Sequence, residues 1–85
     1  AYEMLKLYQT EWCYYCARVR AKMTDLGITY INVNVPAAKE ERKELLEISG
    51  QAGIPTLVTE DGQVIADDDD AIIAYLEENY GSRKM

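Results

Sequence analysis

The sequence predicts an α/β chain in the order β-α-β-α-β-β-α, with a four-stranded mixed sheet flanked by helices. Three observations carry this. A short apolar run, a helix-length stretch free of Gly and Pro, and a β-branched segment follow one another at the start. That pattern is a β-α-β unit, with a right-handed crossover and parallel strands. Asp61-Gly62 separates two apolar runs and marks an antiparallel hairpin. The aspartates Asp67 to Asp70 precede a last apolar stripe, as acid does at the positive end of a helix.

Each element has its own signal. Residues 3–9, EMLKLYQ, are apolar at Met4, Leu5, Leu7 and Tyr8 around Lys6, which suits a strand covered on both faces. From Tyr14 to Leu26, Ala17, Val19, Met23 and Leu26 recur at helical intervals, and Gly27 stands as the C′ residue. Residues 28–35, ITYINVNV, are β-branched with Ile28, Tyr30, Val33 and Val35 among polar neighbours. Pro36 opens a second helix that is heavily charged in its early turns, carries Leu45, Leu46 and Ile48 later, and closes at Gly50. Residues 54–60 and 63–66 form the hairpin, joined at Asp61-Gly62 by a type I′ turn that requires positive φ at both central positions. The last helix follows the aspartates, with Ala71, Ile72, Tyr75 and Leu76 on its apolar side.

With 85 residues, the span 1–85 reads as one small domain with one core. No segment reaches the roughly 20 apolar residues of a membrane span, and no export signal is visible, so the expectation is a cytoplasmic protein that binds no membrane. Fifteen acidic against nine basic residues give a net charge of −6, which argues against nucleic acid as a partner.

The chemistry is concentrated in EWCYYC, residues 11–16, which holds the only two cysteines. Four readings compete. A structural disulfide closing so short a loop removes little unfolded-state entropy. A zinc site needs four ligands, and the chain has no His and no third Cys. Two unrelated buried thiols would make the C-x-x-C spacing at a strand-to-helix junction a coincidence. Redox chemistry is the strong reading. A helix that starts at the motif places Cys13 where unpaired N–H groups and the macrodipole favour a thiolate, and so makes it the nucleophile. Cys16, one turn deeper on the same face, is the resolving thiol. Trp12, Tyr14 and Tyr15 would wall the sulfur with apolar surface able to seat a small thiol or a protein disulfide.

At this point the sequence resembles the glutaredoxins, small members of the thioredoxin fold, over essentially the whole chain. Their C-P-Y-C motif is Cys13-Tyr14-Tyr15-Cys16 here, with Tyr14 in place of Pro. Their TG..TVP segment is matched by SGQAGIP, residues 49–55, which implies a cis Ile54-Pro55 bond and a backbone contact from Ile54 to the cysteine of glutathione. ADDDDA, residues 66–71, matches in part the Gly-Gly-x-Asp-Asp helix start, with Ala66-Asp67 replacing the two glycines. By register Asp68 and Asp69 fall where the family binds the γ-glutamyl end. The tail from Gly53 also resembles the N-terminal domain of glutathione transferases, whose γ-glutamyl site falls at the same pair. Thr10 stands where many glutaredoxins carry a lysine for the glycine carboxylate, and Arg42 aligns with a second position serving that end.

The resemblance implies a glutathione-dependent thiol-disulfide oxidoreductase, with catalytic Cys13 and Cys16 and a glutathione site of Tyr15, Arg42, Ile54, Pro55, Asp68 and Asp69. Glutathione, or a related low-molecular-weight thiol, would be co-substrate, with no permanently bound cofactor or metal. Disulfide proteins such as ribonucleotide reductase would be partners of a monomeric enzyme. Two alternatives follow from the same family: a redoxin reduced by thioredoxin reductase, and a dimeric carrier of a [2Fe–2S] cluster held with glutathione through Cys13.

Overall fold

The computed structural model describes residues 4–81. The chain runs β1 (Lys6–Gln9), α1 (Tyr14–Asp25), β2 (Ile31–Asn34), a 3₁₀ turn (Lys39–Glu41), α2 (Lys43–Ser49), β3 (Thr56–Val58), β4 (Val64–Ala66) and α3 (Asp69–Tyr80). The predicted element order holds. The four strands form one sheet in the order β2-β1-β3-β4, with β1 and β2 parallel and the remaining pairs antiparallel. The first predicted strand reached back to Glu3, which lies outside the described residues. Among the described residues no helix is long and apolar enough to cross a membrane.

Pleating sends successive β1 side chains to opposite faces. Leu5 and Leu7 enter a cluster with Val19 and Met23 of α1 and Ile72, Leu76 and Tyr80 of α3, while Tyr8 packs with Leu45 of α2 and Val35. The sheet is thus a middle layer, with α1 and α3 on one face and α2 on the other. Leu7, Val19, Met23, Leu57, Ile72 and Leu76 are entirely buried, each worth about 1.5–3 kcal/mol over an exposed position.

The first helix ends as its glycine requires. Gly27 has φ 70°, its N–H reaches the Thr24 carbonyl at 3.1 Å, and the Ile28 N–H reaches Met23 at 2.9 Å. This is a Schellman closure, completed by burial of Ile28 and Met23 in the same cluster. One polar node inside the fold gave no sequence signal. Gln9 is fully buried, its amide nitrogen donating at 2.8 Å to Oδ1 of both Asn32 and Asn34, while its oxygen accepts from Arg20. It ties β1 to the edge strand β2 and to the helix that carries the cysteines.

Three local expectations are corrected. The second helix does not begin at Pro36. Arg42 has φ −85° and ψ 63°, outside the helical region, and splits the segment into the 3₁₀ turn and a seven-residue helix. The strand read from Ile28 is shorter and lies at the sheet edge, leaving Ile31 exposed. The hairpin turn is not type I′, because Asp61 lacks the positive φ that type requires, and only Gly62, at φ 93°, is left-handed. Thr59 closes the loop instead: its N–H donates to the Gln63 carbonyl at 2.8 Å, and its carbonyl accepts from Gly62 at 3.1 Å. That is a three-residue connection of the type I plus bulge kind.

Candidate active site

Cys13 is the N-cap of α1. Its backbone is extended, at φ −77° and ψ 118°, and its Sγ accepts the backbone N–H of Cys16 at 3.1 Å. The sulfur therefore occupies the place of a capping oxygen, among N–H groups that have no partner inside the helix. Cys13 is partly exposed, Cys16 is fully buried, and both are free thiols. Burial, followed by hydrogen bonding to the Cys13 sulfur, pushes the Cys16 thiol from 9.0 up to about 12, against the pull of the Thr10 backbone and the Arg20 charge. One sulfur faces outward at a helix start and the other is held protonated behind it.

Around Cys13 the aromatics are open. Trp12 is 79% exposed, Tyr14 71% and Tyr15 55%, with the two tyrosine rings edge to face at 5.4 Å. Arg18 and Arg20, which follow the motif, are engaged elsewhere: Arg20 with Gln9 and the Thr10 carbonyl, Arg18 with Asp69 and with Asp70 at 3.1 Å.

Tyr15, two residues beyond Cys13, forms one wall of a groove of about 230 Å³ whose other walls are Ile54, Pro55, Asp67 and Asp69. The Ile54-Pro55 bond is cis, as the resemblance implied. The groove brings together Tyr15, Ile54, Pro55 and Asp69 of the sequence-predicted residues. Asp68 does not line it; it is the N-cap of α3, its Oδ1 accepting the Ala71 N–H at 3.0 Å. Capping and dipole complementarity thus account for part of the acid block, and the Arg18 pairing of Asp69 and Asp70 for more.

Arg42 is not part of this assembly. It is 7% exposed, and its guanidinium donates to the carbonyls of Pro36 at 2.7 Å, Ala52 at 2.8 Å and Ala37 at 3.2 Å. It lines a separate cavity of about 170 Å³ with Tyr8 and Glu44, and acts as a strut between two loops. The carboxylate-binding role expected of it is corrected on that ground, since its donors are turned to backbone.

Asp67 lines the groove although its sequence pattern did not assign it to the site. It stands at φ 53°, in the left-handed region, with its N–H on the Pro55 carbonyl at 2.9 Å. Its carboxyl group overlies Gly53, where an added Cβ would fall within 2.8 Å of the Asp67 Oδ1. The available signal was the replacement of a glycine pair by Ala66-Asp67, since a position that suits glycine suits positive φ.

The sequence matches the Glutaredoxin family model over residues 5–65. The chain belongs to the glutaredoxin family. Among its relatives is the uncharacterized glutaredoxin-like 8.6 kDa protein in the rubredoxin operon of Clostridium pasteurianum, 32% identical over 62 residues that cover 73% of this chain and 81% of that protein. Solved structures similar to this glutaredoxin include glutathione transferase Omega 3C from Trametes versicolor, with a TM-score of 0.85, 20% identity, and coverage of 100% of this chain and 37% of that one. A glutathione transferase homolog from Sulfitobacter with bound glutathione has a TM-score of 0.81, 23% identity, and coverage of 94% and 38%. The chain thus spans under two fifths of these transferases, and what it shares with them is the thioredoxin-like fold. Family and fold together support a glutathione-related thiol redox role.

Proposed function

We propose that this glutaredoxin is a glutathione-dependent thiol-disulfide oxidoreductase that reduces protein disulfides and glutathione mixed disulfides. The observation that carries the reading is the pairing of a partly exposed Cys13 at the cap of α1 with a buried Cys16 whose N–H meets its sulfur at 3.1 Å. Cys13, as thiolate, attacks one sulfur of a substrate disulfide. A new S–S bond forms to Cys13, the original bond breaks, and the departing thiolate takes a proton from solvent.

The mixed disulfide is resolved in one of two ways. Glutathione thiolate attacks the glutathionyl sulfur and leaves as glutathione disulfide, which returns Cys13 as thiolate. Alternatively Cys16 gives up its proton, closes a Cys13–Cys16 disulfide and releases the substrate thiol, after which two glutathiones reduce that disulfide and leave as one glutathione disulfide. With its thiol pushed up to about 12, Cys16 is seldom ionised at neutral pH, so it serves substrates held long enough for proximity to compensate. Glutathione itself resolves small mixed disulfides.

The groove supplies the seat. Tyr15 and Pro55 give apolar walls, and the Ile54 backbone pairs with the cysteine of glutathione. At the start of α3, Asp68 and Asp69 meet its γ-glutamyl end, where free N–H groups suit the carboxylate and Asp69 suits the ammonium. Substrates of the class of ribonucleotide reductase would dock over the exposed aromatics, with the enzyme acting as a monomer. Family couples of about −200 to −230 mV lie near the cytosolic thiol pool, so both directions are open.

The test is turnover of a glutathione mixed disulfide with glutathione and its reductase, set against the same assay driven by thioredoxin reductase. Turnover in the first and not the second is expected. Turnover in the second alone would reassign the protein as a thioredoxin-reductase-dependent redoxin.

A further inference from the structure

We infer that Asp67 sets the charge preference of the groove next to the reacting sulfur, favouring disulfides that carry positive charge beside the sulfur over those that carry negative charge there. The inference rests on Cys13 being the attacking thiol. Two carboxylates line the groove, but they are not equivalent. Asp69 is ion-paired to Arg18, whereas Asp67 has no ion-pair partner among the described residues. No Lys or Arg lines the groove to offset it.

The placement of Asp67 is also fixed by the backbone. Its left-handed φ of 53° is a conformation that favours glycine, and the side chain that results fits only because residue 53 has no Cβ. The carboxylate is thus carried against the Gly53 backbone, one residue before Ile54, in the groove that Tyr15 also lines. A disulfide seated in the groove lies against this negative charge. A unit charge at contact distance in a solvated groove changes a rate by about fivefold.

The experiment measures single-turnover formation of a mixed disulfide at Cys13 by quenched mass spectrometry, using reduced protein and three small disulfides at low salt. Cystamine carries two ammonium groups, 2-hydroxyethyl disulfide is neutral, and dithiodiglycolate carries two carboxylates. In each case the Cys13 thiolate forms one S–S bond, the original S–S bond breaks, and half of the molecule leaves as a thiol. The quantity compared is the cystamine-to-dithiodiglycolate rate ratio, so intrinsic reactivities cancel between variants. Asp67→Asn and Asp67→Gly should each lower it at least fivefold, and about 1 M salt should lower it in the unmodified protein. Glu78→Gln, an equal charge change on exposed surface far along α3, should leave it unchanged.

An unchanged ratio in both Asp67 variants, or an equal fall in Glu78→Gln, would overturn the inference while leaving the oxidoreductase reading intact. Failure of 2-hydroxyethyl disulfide to label Cys13 in the unmodified protein would instead overturn the reading on which it rests.

Discussion

The backbone N–H of Cys16 lies 3.1 Å from the sulfur of Cys13, so the outer thiol is bonded to the backbone of the inner one. This bond belongs to the first turn of α1 and makes the two sulfurs unequal, one partly exposed at a cap and one fully buried. Iodoacetamide at pH 8 should therefore add one carbamidomethyl group to the reduced folded protein, at Cys13, and a second only in denaturant. Equal labelling rates at the two cysteines under native conditions would contradict the burial of Cys16.

Two buried acids give the stability a defined alkaline limit. Burial pushes Cys16 from 9.0 to about 12, and burial together with the Glu44 carboxylate, 2.7 Å from the hydroxyl, pushes Tyr8 from 10.0 to about 12. Both groups bind their proton more tightly when folded. Their contribution is whole below the unfolded values, near pH 9 and 10, and is lost as pH rises toward 12. Urea midpoints measured across pH 7 to 12 should be flat at first and then fall. Tyr8→Phe should flatten the upper part of that fall, and an unchanged slope would show that Tyr8 does not contribute.

Arg42 should matter to stability and little to glutathione. Removing its guanidinium leaves three carbonyls without their charged donor, a loss of about 2–4 kcal/mol for Arg42→Met. Arg42→Lys should recover little, because a single ammonium cannot span three carbonyls held by a planar fork. Chemical denaturation measures the first effect. A large rise in the glutathione KM at unchanged stability would instead restore a ligand role.

Gly53 and Asp67 should be energetically coupled. Gly53→Ala drives a methyl group into the Asp67 carboxyl, at a cost of about 1 kcal/mol or more, while Asp67→Gly empties that space and suits the positive φ. The double variant should be more stable than the sum of the singles predicts, a coupling that a double-mutant cycle reads directly. Strict additivity would show that the two residues do not meet.

What was legible in the sequence was what local chemistry decides. Gly27 and Gly50 close their helices, at φ 70° and 75°, because glycine takes the left-handed conformation freely, and Asp68 caps α3 because a short carboxylate reaches the N–H three residues on. The cysteines fell at a helix start for the same local reason. What could not be read depends on partners distant in sequence. Arg42 breaks its helix while its donors hold carbonyls as far away as Ala52, and no periodicity records that bond. Gln9 looked like a strand end, yet it is buried and bonds two asparagines more than twenty residues away. Nor did the sequence divide the acid block as the fold does, with Asp67 and Asp69 lining the groove, Asp68 capping α3, and Asp69 and Asp70 paired with Arg18.

The division of labour between the two cysteines is the central claim, and single-cysteine variants assayed with glutathione and its reductase test it most directly. Cys13→Ser should abolish turnover of every disulfide. Cys16→Ser should keep turnover of a glutathione mixed disulfide and lose reduction of a protein disulfide, since the first needs only Cys13 and the second needs an internal thiol to release it. Full activity of Cys13→Ser, or a Cys16→Ser variant that retains both reactions, would contradict the account.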